Sequence, residues 1–137
     1  MGLVDGGAQK RAFTYVDDGI AALMTLIANP SGIASGKIYN IGNPANNYSV
    51  RELATMMLAM ATQYPEYAGP AAAVRLVETT SGEYYGEGYQ DVQNRVPRID
   101  NTWADLGWAA TVDMPTALRR IFDAYRDHVG EARKLVE

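Results

Sequence analysis

Three stretches of the chain repeat apolar residues at the spacing of an α-helix, and this pattern constrains the fold more than any other. Residues at i, i+3, i+4 and i+7 share one face of a helix, so each stretch has a face suited to packing. The apolar positions are Ile20, Leu23, Met24 and Ile27, then Val50, Leu53, Met57 and Met60, and finally Leu118, Ile121, Phe122, Tyr125 and Val129. Short segments rich in β-branched and aromatic residues separate them. The sequence therefore predicts a mixed α/β fold with a few short strands and three longer helices.

Local signals predict where these helices begin. Asp17 or Asp18 offers a side-chain oxygen to the free amides of the first helix. Ser49 and Glu52 form an S-x-x-E capping box at the start of the second. The last helix opens at Asp113-Met114-Pro115, because proline is tolerated in a first helical turn.

The segments between the helices predict short strands and turns. Leu3-Val4 ends one strand, residues 5–7 form a turn, and residues 11–16 form the second strand of a hairpin. Further strands are predicted at residues 37–42 and 73–78, and a short helix at residues 102–106. Residues 79–97 have no convincing periodicity, and a long irregular segment of this kind is usually disordered or functional.

Composition excludes several classes of function. A chain of 137 residues predicts one domain, spanning residues 1–137. The net charge of -4 argues against binding to nucleic acid or to an anionic membrane. With no cysteine and the single histidine His128, a metal site is not expected. No apolar run is long enough to cross a bilayer and no secretory pattern opens the chain, so we expect a soluble cytoplasmic protein.

Two arginine-centred segments remain as candidate sites. The first surrounds Gln9 and Arg11, where a glycine-rich turn presents an amide and two cations that suit a pyrophosphate. The second contains Tyr89 and Arg95 among glycines and tyrosines, which suit stacking on a nucleobase and close approach of a ligand. From the residues alone, a solvated hairpin tip for the first segment and a loop that covers a core for the second stay open as alternatives.

Longer motifs resemble extended short-chain dehydrogenase/reductases that act on nucleotide sugars, the NAD-dependent epimerase/dehydratase family. The matching motifs are residues 3–14 with Asp18-Gly19-Ile20, then Tyr39-Asn40-Ile41-Gly42-Asn43-Pro44, and Asp105-Leu106-Gly107-Trp108. The segment from Tyr84 to Val92, with Arg95 and Pro97, is similar to UDP-glucuronic acid C4''-decarboxylases of the bacterial polymyxin-resistance (lipid A aminoarabinose) pathway. In that family NAD+ oxidises the sugar at C4, and the resulting β-keto acid loses carbon dioxide.

The resemblance implies a role for four residues. Gln9 and Arg11 would contact the uridine diphosphate, and Tyr89 would lie along the nucleotide. Arg95 would be the catalytic residue beside the sugar carboxylate. Since a guanidinium is a poor acid at neutral pH, charge stabilisation is its first expected role and proton donation its second.

The chain also departs from the family. The glycine-rich nucleotide-binding region and the Tyr-x-x-x-Lys pair are absent from its sequence. We therefore expect no cofactor in this chain, although the family uses NAD, and no catalysis by this chain alone. Apolar surface that faces a cofactor-binding domain in the family would be exposed, which predicts a homo-oligomer or association with such a domain. The alternative is a free-standing interaction or oligomerisation protein that kept the fold and lost the UDP-sugar.

Overall fold

Helices make up most of the regular structure in the computed structural model, which describes residues 1–88 and 91–134. The three longer helices that the periodicity predicts are present as α1 (Val16–Ala28), α2 (Val50–Ala61) and α6 (Met114–Tyr125). Four shorter helices in the described residues are α3 (Pro65–Ala73), α4 (Ser81–Tyr85), α5 (Asp100–Leu106) and α7 (Val129–Lys134). None of the described helices is long and apolar enough to cross a membrane.

Five short strands in the described part of the chain form two small sheets. They are β1 (Gly2–Val4), β2 (Lys10–Ala12), β3 (Asn47–Ser49), β4 (Val77–Thr79) and β5 (Asn94–Arg95). β1 pairs with β4 in parallel, whereas the second sheet has the order β3-β2-β5. The mixed α/β fold with a few short strands is therefore confirmed. The predicted hairpin is wrong, because its two strands pair with different partners.

The turn after β1 shows why no hairpin forms. Asp5, Gly6 and Gly7 all have positive φ, at 47°, 69° and 68°. Other parts of the chain hold this turn: Asp5 Oδ1 accepts a hydrogen bond from Ser81 N at 2.8 Å, and Gly6 O accepts one from Arg51 Nε at 2.7 Å. The turn is thus fixed by long-range contacts, which the local turn sequence does not reveal.

The chain folds into two compact units, each assembled from segments distant in the sequence. The first unit contains residues 1–8, 49–91 and 115–137. Among its described residues, the buried apolar ones are Leu3, Ala54, Met60, Ala61, Ala117 and Leu118. The capping box of α2 is confirmed, since Ser49 Oγ accepts from Glu52 N at 3.1 Å and Glu52 Oε2 accepts from Ser49 N at 2.7 Å.

The segment after α2 is more helical than the sequence indicates. Pro65 occupies the first turn of α3, a position that tolerates proline. The ring of Tyr64 stacks on that of Phe122 with centroids 5.5 Å apart, and its hydroxyl donates to Asp123 Oδ1 at 2.9 Å. Aromatic packing against α6 therefore stabilises a helix that has no strong apolar stripe of its own.

The second unit contains residues 9–48 and 92–114, and a buried carboxylate lies at its centre. Asp18 is 7% exposed and accepts hydrogen bonds from Thr111 N at 3.2 Å, Thr111 Oγ1 at 3.1 Å and Val112 N at 3.0 Å. The prediction that Asp17 or Asp18 caps α1 is wrong: the N-cap is Tyr15, which makes no side-chain cap. Asp18 instead joins α1 to a distant segment.

Residues 37–42 do not form the predicted strand. Side chains satisfy the carbonyl groups that a strand would pair: Asn101 Nδ2 donates to Ile38 O at 3.0 Å, and Thr102 Oγ1 donates to Asn40 O at 2.7 Å. The amide of Asn40 in turn donates to Arg98 O at 3.0 Å. The alternating apolar residues were a misleading signal, because helix α5 and not another strand lies beside this segment.

Residues 79–97 contain regular structure that the sequence pattern did not indicate. Thr80 Oγ1 accepts from Glu83 N at 3.2 Å, and Glu83 Oε2 accepts from Thr80 N at 3.0 Å. This second capping box begins α4, and β5 follows at Asn94–Arg95. Both elements are too short for apolar periodicity to detect.

Candidate functional site

The second sheet brings two candidate arginines together from opposite ends of the sequence. β2 and β5 pair in parallel, with Lys10 opposite Asn94 and Arg11 opposite Arg95. Neighbouring strands lie about 4.8 Å apart, and side chains alternate between the two faces. Arg11 and Arg95 therefore project from the same face of the sheet as direct neighbours.

Backbone contacts fix the guanidinium of Arg11. Its Nη1 donates to Lys10 O and to Val92 O, both at 2.7 Å. Val92 precedes β5, so one contact crosses from β2 to the approach of the neighbouring strand. Lys10 N donates to Gln93 O at 2.7 Å and completes the pairing. Arg95 is exposed, and no hydrogen bond or ion pair joins its guanidinium to another described residue. One arginine is thus oriented by the fold, and the other projects into solvent beside it.

A buried amide network holds β2 on its other side. Phe13 N donates to Asn46 O at 3.1 Å, which continues the line of β2 toward the segment before β3. Asn46 Nδ2 donates to Val112 O at 2.9 Å, and its Oδ1 accepts from Met114 N at 3.0 Å. Asn43 Nδ2 donates to the same Val112 carbonyl at 3.0 Å. Sequence reasoning missed this support, since Asn43 and Asn46 resemble ordinary turn residues.

The other sequence-predicted site residues have different outcomes. Gln9 is half-buried immediately before β2 and is therefore next to Arg11 along the chain. Tyr89 lies outside the described residues. Tyr84 and Tyr85 of α4, in the first unit, are 66% and 55% exposed and pack edge to face with centroids 4.7 Å apart. The roles predicted for Gln9 and Tyr89 stay predictions.

A separate polar cluster joins α5 to the segment before Gly42. Asp105 Oδ2 accepts from Lys37 Nζ and from Tyr39 Oη, each at 2.8 Å. The hydrogen bond from Lys37 and then that from Tyr39 hold the pKa of Asp105 below its ordinary value. The bond to Asp105 raises the pKa of Lys37, while desolvation and then Asp105 raise that of Tyr39. Each of these polar groups has a partner within the cluster, so the cluster stabilises the packing of α5 against residues 37–39. Among the described residues no group of acidic or histidine side chains could hold a metal ion.

The apolar face of α1 is exposed. Val16, Ile20, Leu23, Met24 and Ile27 are between 47% and 75% exposed. A groove of about 330 Å³ runs beside the first half of the helix, between Thr14 and Leu23. The periodicity thus predicted the helix correctly, but within this unit its apolar face lacks a covering layer. Exposed apolar surface of this kind is typical of interaction sites.

The mixed α/β fold, with a few short strands and several helices, matches the C-terminal part of an extended short-chain dehydrogenase/reductase. Residues 1–42 match the NAD dependent epimerase/dehydratase family.

Two solved structures make the relationship more specific. The PbgP3 protein from Burkholderia pseudomallei is 58% identical over 100% of this chain, with a TM-score of 0.85. A dTDP-glucose 4,6-dehydratase from Bacillus anthracis, solved in complex with NAD, covers 92% of the chain with a TM-score of 0.64. At 13% identity the second structure supports the fold alone. The chain spans 37% and 34% of these two proteins, which is about a third of their length.

Proposed function

We propose that this chain is the UDP-sugar-binding portion of a UDP-glucuronate decarboxylase-like, NAD-dependent enzyme of the cytoplasm, and that it is not catalytic alone. The observation that carries the proposal is the parallel register that pairs Arg11 with Arg95. Two positively charged side chains at neighbouring positions on one face of a sheet repel each other. A diphosphate or a carboxylate beside them converts this repulsion into attraction, which favours an anionic ligand at this face.

The chemistry of the pair supports a division of roles. Arg11, oriented by Lys10 O and Val92 O, suits the diphosphate, with Gln9 as a neighbouring polar contact. Arg95, exposed beside it, suits the sugar carboxylate and the negative charge that develops as carbon dioxide leaves. Proton donation by Arg95 is its second proposed role. Tyr89 is assigned to the nucleotide by resemblance to the decarboxylases.

The described residues do not fit the family's cofactor. A dinucleotide site needs a glycine-rich turn that leads from a strand into a helix, whose N-terminus then receives the pyrophosphate. Here the glycine turn at Asp5–Gly7 leads from β1 into strand β2 instead. We therefore assign no NAD contact and no redox step to these residues. Turnover would require a cofactor-binding domain, on the same polypeptide or on a partner.

Calorimetry with UDP and UDP-glucuronate tests the proposal. Each guanidinium bonded to a charged oxygen contributes about 1.5–3 kcal/mol, so Arg11→Ala and Arg95→Ala should each weaken the binding of UDP-glucuronate by about 10- to 100-fold. Only Arg11→Ala should weaken the binding of UDP to a similar degree, because UDP lacks the sugar carboxylate. Arg98→Ala is the matched control, because this exposed arginine is three residues from Arg95 but pairs with Asp100 at 2.8 Å. Absence of saturable binding by the unmodified chain, or equal losses in all three variants, would contradict the proposal.

The exposed face of α1 favours a second function, association with another protein. The five apolar side chains defined above extend along the whole helix, and Asp17 is the one charged residue among the exposed positions of α1. We propose that a second copy or a cofactor-binding domain covers this face. A free-standing oligomerisation protein would keep this property without binding UDP.

Light scattering at tens of micromolar separates these possibilities. We expect an assembly larger than the monomer, and Met24→Glu should shift it toward the monomer because a buried unpaired charge opposes association. Thr55→Glu adds the same charge to an exposed position of α2 and should have no effect. A monomeric unmodified chain would refute self-association, and a dimer that ignores UDP would favour the oligomerisation protein.

A further inference from the structure

Gly42 makes the tightest backbone approach of any glycine in the described chain. A Cβ built on Gly42 would lie 2.5 Å from Pro97 Cγ and 3.3 Å from Pro97 Cβ. Gly42 is buried, and its φ lies outside the left-handed region. The position therefore requires glycine for space and not for backbone freedom. Carbon atoms in contact prefer about 3.5–4.0 Å, so an alanine here would have to gain roughly 1 Å of separation.

The two sides of this contact are not equally able to move. Gly42 adjoins Asn43, which is 6% exposed and whose backbone N donates to Thr14 Oγ1 at 3.0 Å. The side-chain amide of Asn43 also donates a hydrogen bond, from Nδ2 to Val112 O at 3.0 Å. Pro97 is half-buried and follows the exposed, two-residue strand β5. A methyl group at Gly42 should consequently displace Pro97 and leave the Asn43 network in place.

We infer that Gly42 is a positioning residue for Arg95 and acts through Pro97, an inference that rests on the proposed UDP-sugar function. Pro97 is two residues beyond Arg95, and its ring limits how the intervening backbone can adjust. A shift of roughly 1 Å at Pro97 would strain the pairing of β5 with β2, which includes the 2.7 Å bond from Lys10 N to Gln93 O. Arg95 would then lose its register opposite Arg11.

Amide exchange measured by NMR tests this inference without any ligand. Gly42→Ala should raise the exchange rate of the Lys10 amide by about tenfold, because its bond to Gln93 O weakens. Gly19→Ala is the matched control: it lies in the same unit, and nothing stands within 4 Å of its added Cβ. The double variant Gly42→Ala with Pro97→Ala removes the clashing Cγ and should restore slow exchange to within about threefold.

The affinity for UDP-glucuronate supplies the functional readout, because its sugar carboxylate is the group assigned to Arg95. Gly42→Ala should weaken UDP-glucuronate binding by about tenfold, and the double variant should recover most of it. A milder variant, Asn40→Ala, releases the 3.0 Å bond to Arg98 O and should have a smaller effect in the same direction. This variant keeps the test decisive should Gly42→Ala fail to fold.

The outcomes distinguish this inference from the proposed function. An unmodified chain that does not bind UDP contradicts the proposed function, while the Lys10 exchange still reports on Gly42. Unchanged exchange at Lys10 in both Gly42→Ala and Asn40→Ala would overturn the inference. Faster exchange that Pro97→Ala fails to reverse would also overturn it, since the clash with the proline ring would not then be the cause.

Discussion

Replacement of Asp18 should reveal how strongly one buried carboxylate holds the second unit together. Its two oxygens accept from Thr111 N, Thr111 Oγ1 and Val112 N, while Trp108 Nε1 donates to its backbone carbonyl at 3.0 Å. Asp18 is 7% exposed, and its carboxylate accepts hydrogen bonds from neutral donors. Asp18→Ala removes the acceptor but keeps the Trp108 bond, so the variant isolates the contribution of the side chain.

The loss of stability in Asp18→Ala can be worked out from the hydrogen-bond donors that the variant leaves without an acceptor. Val112 N is buried, and an unsatisfied buried donor costs about 1–3 kcal/mol. The part-buried Thr111 donors add to this, so Asp18→Ala should lower the free energy of unfolding by about 3–5 kcal/mol. Asp18→Asn should cost only about 1 kcal/mol, since its Oδ1 still accepts from the amides and its Nδ2 donates to the Thr111 hydroxyl, which can rotate to accept.

Urea unfolding followed by circular dichroism measures these differences through the midpoint and slope of the transition. Asp17→Ala is the control: this neighbouring carboxylate is exposed in the same helical turn and should contribute about 0.3–1 kcal/mol through the helix dipole. The reasoning fails if Asp18→Asn is as damaging as Asp18→Ala. It fails equally if Asp17→Ala matches the loss at Asp18.

Two further predictions concern a helix cap and a surface ion pair. Ser49→Ala should destabilise the protein by about 1 kcal/mol and Ser49→Gly by a few tenths, because glycine tolerates the N-cap conformation; equal losses in urea would contradict a capping role. The pKa of Asp105 is lowered chiefly by Lys37, so this carboxylate should stabilise the fold at neutral pH and lose that effect as the pH falls through its lowered pKa. An acid titration of stability should be shallower in Asp105→Asn; an unchanged slope would show that the pair is not coupled to folding.

Local sequence signals predicted where the longer helices lie, but not which residues from elsewhere in the chain contact them. The capping box at Ser49 and the proline at position 115 act on neighbouring amides, so their effect is visible without the rest of the chain. The failures at Asp18 and at residues 37–42 have one cause: hydrogen-bond donors from more than 60 residues away satisfy those groups. Apolar spacing likewise predicted α1 but not that its apolar face would be exposed.

The candidate site shows the same limit. Residue type alone made Arg11 and Arg95 candidates for binding an anion, and the family resemblance gave them expected roles. Their adjacency depends on the register of β2 and β5, and no local pattern encodes a parallel pairing between strands 84 residues apart in register. The contribution of Gly42 was equally hidden, because a glycine required for space has the same letter as one required for a turn.

The buried residues of the second unit suggest that covering the exposed face of α1 would also stabilise the part of the fold that pairs Arg11 with Arg95. Among its described residues, the buried apolar side chains are Ala22, Trp108, Val112 and Met114, and the buried polar ones are Asp18, Asn43, Asn46 and Thr102. Hydrogen bonds between polar groups fix geometry closely but contribute only about 0.5–1.5 kcal/mol each, so such a unit is precise but weakly stabilised. Burial of the α1 face by a partner would add the stabilisation from apolar burial that the unit lacks by itself. A partner that binds the folded state raises its population, so association at α1 should also increase the fraction of chains whose paired arginines are ready to bind an anion.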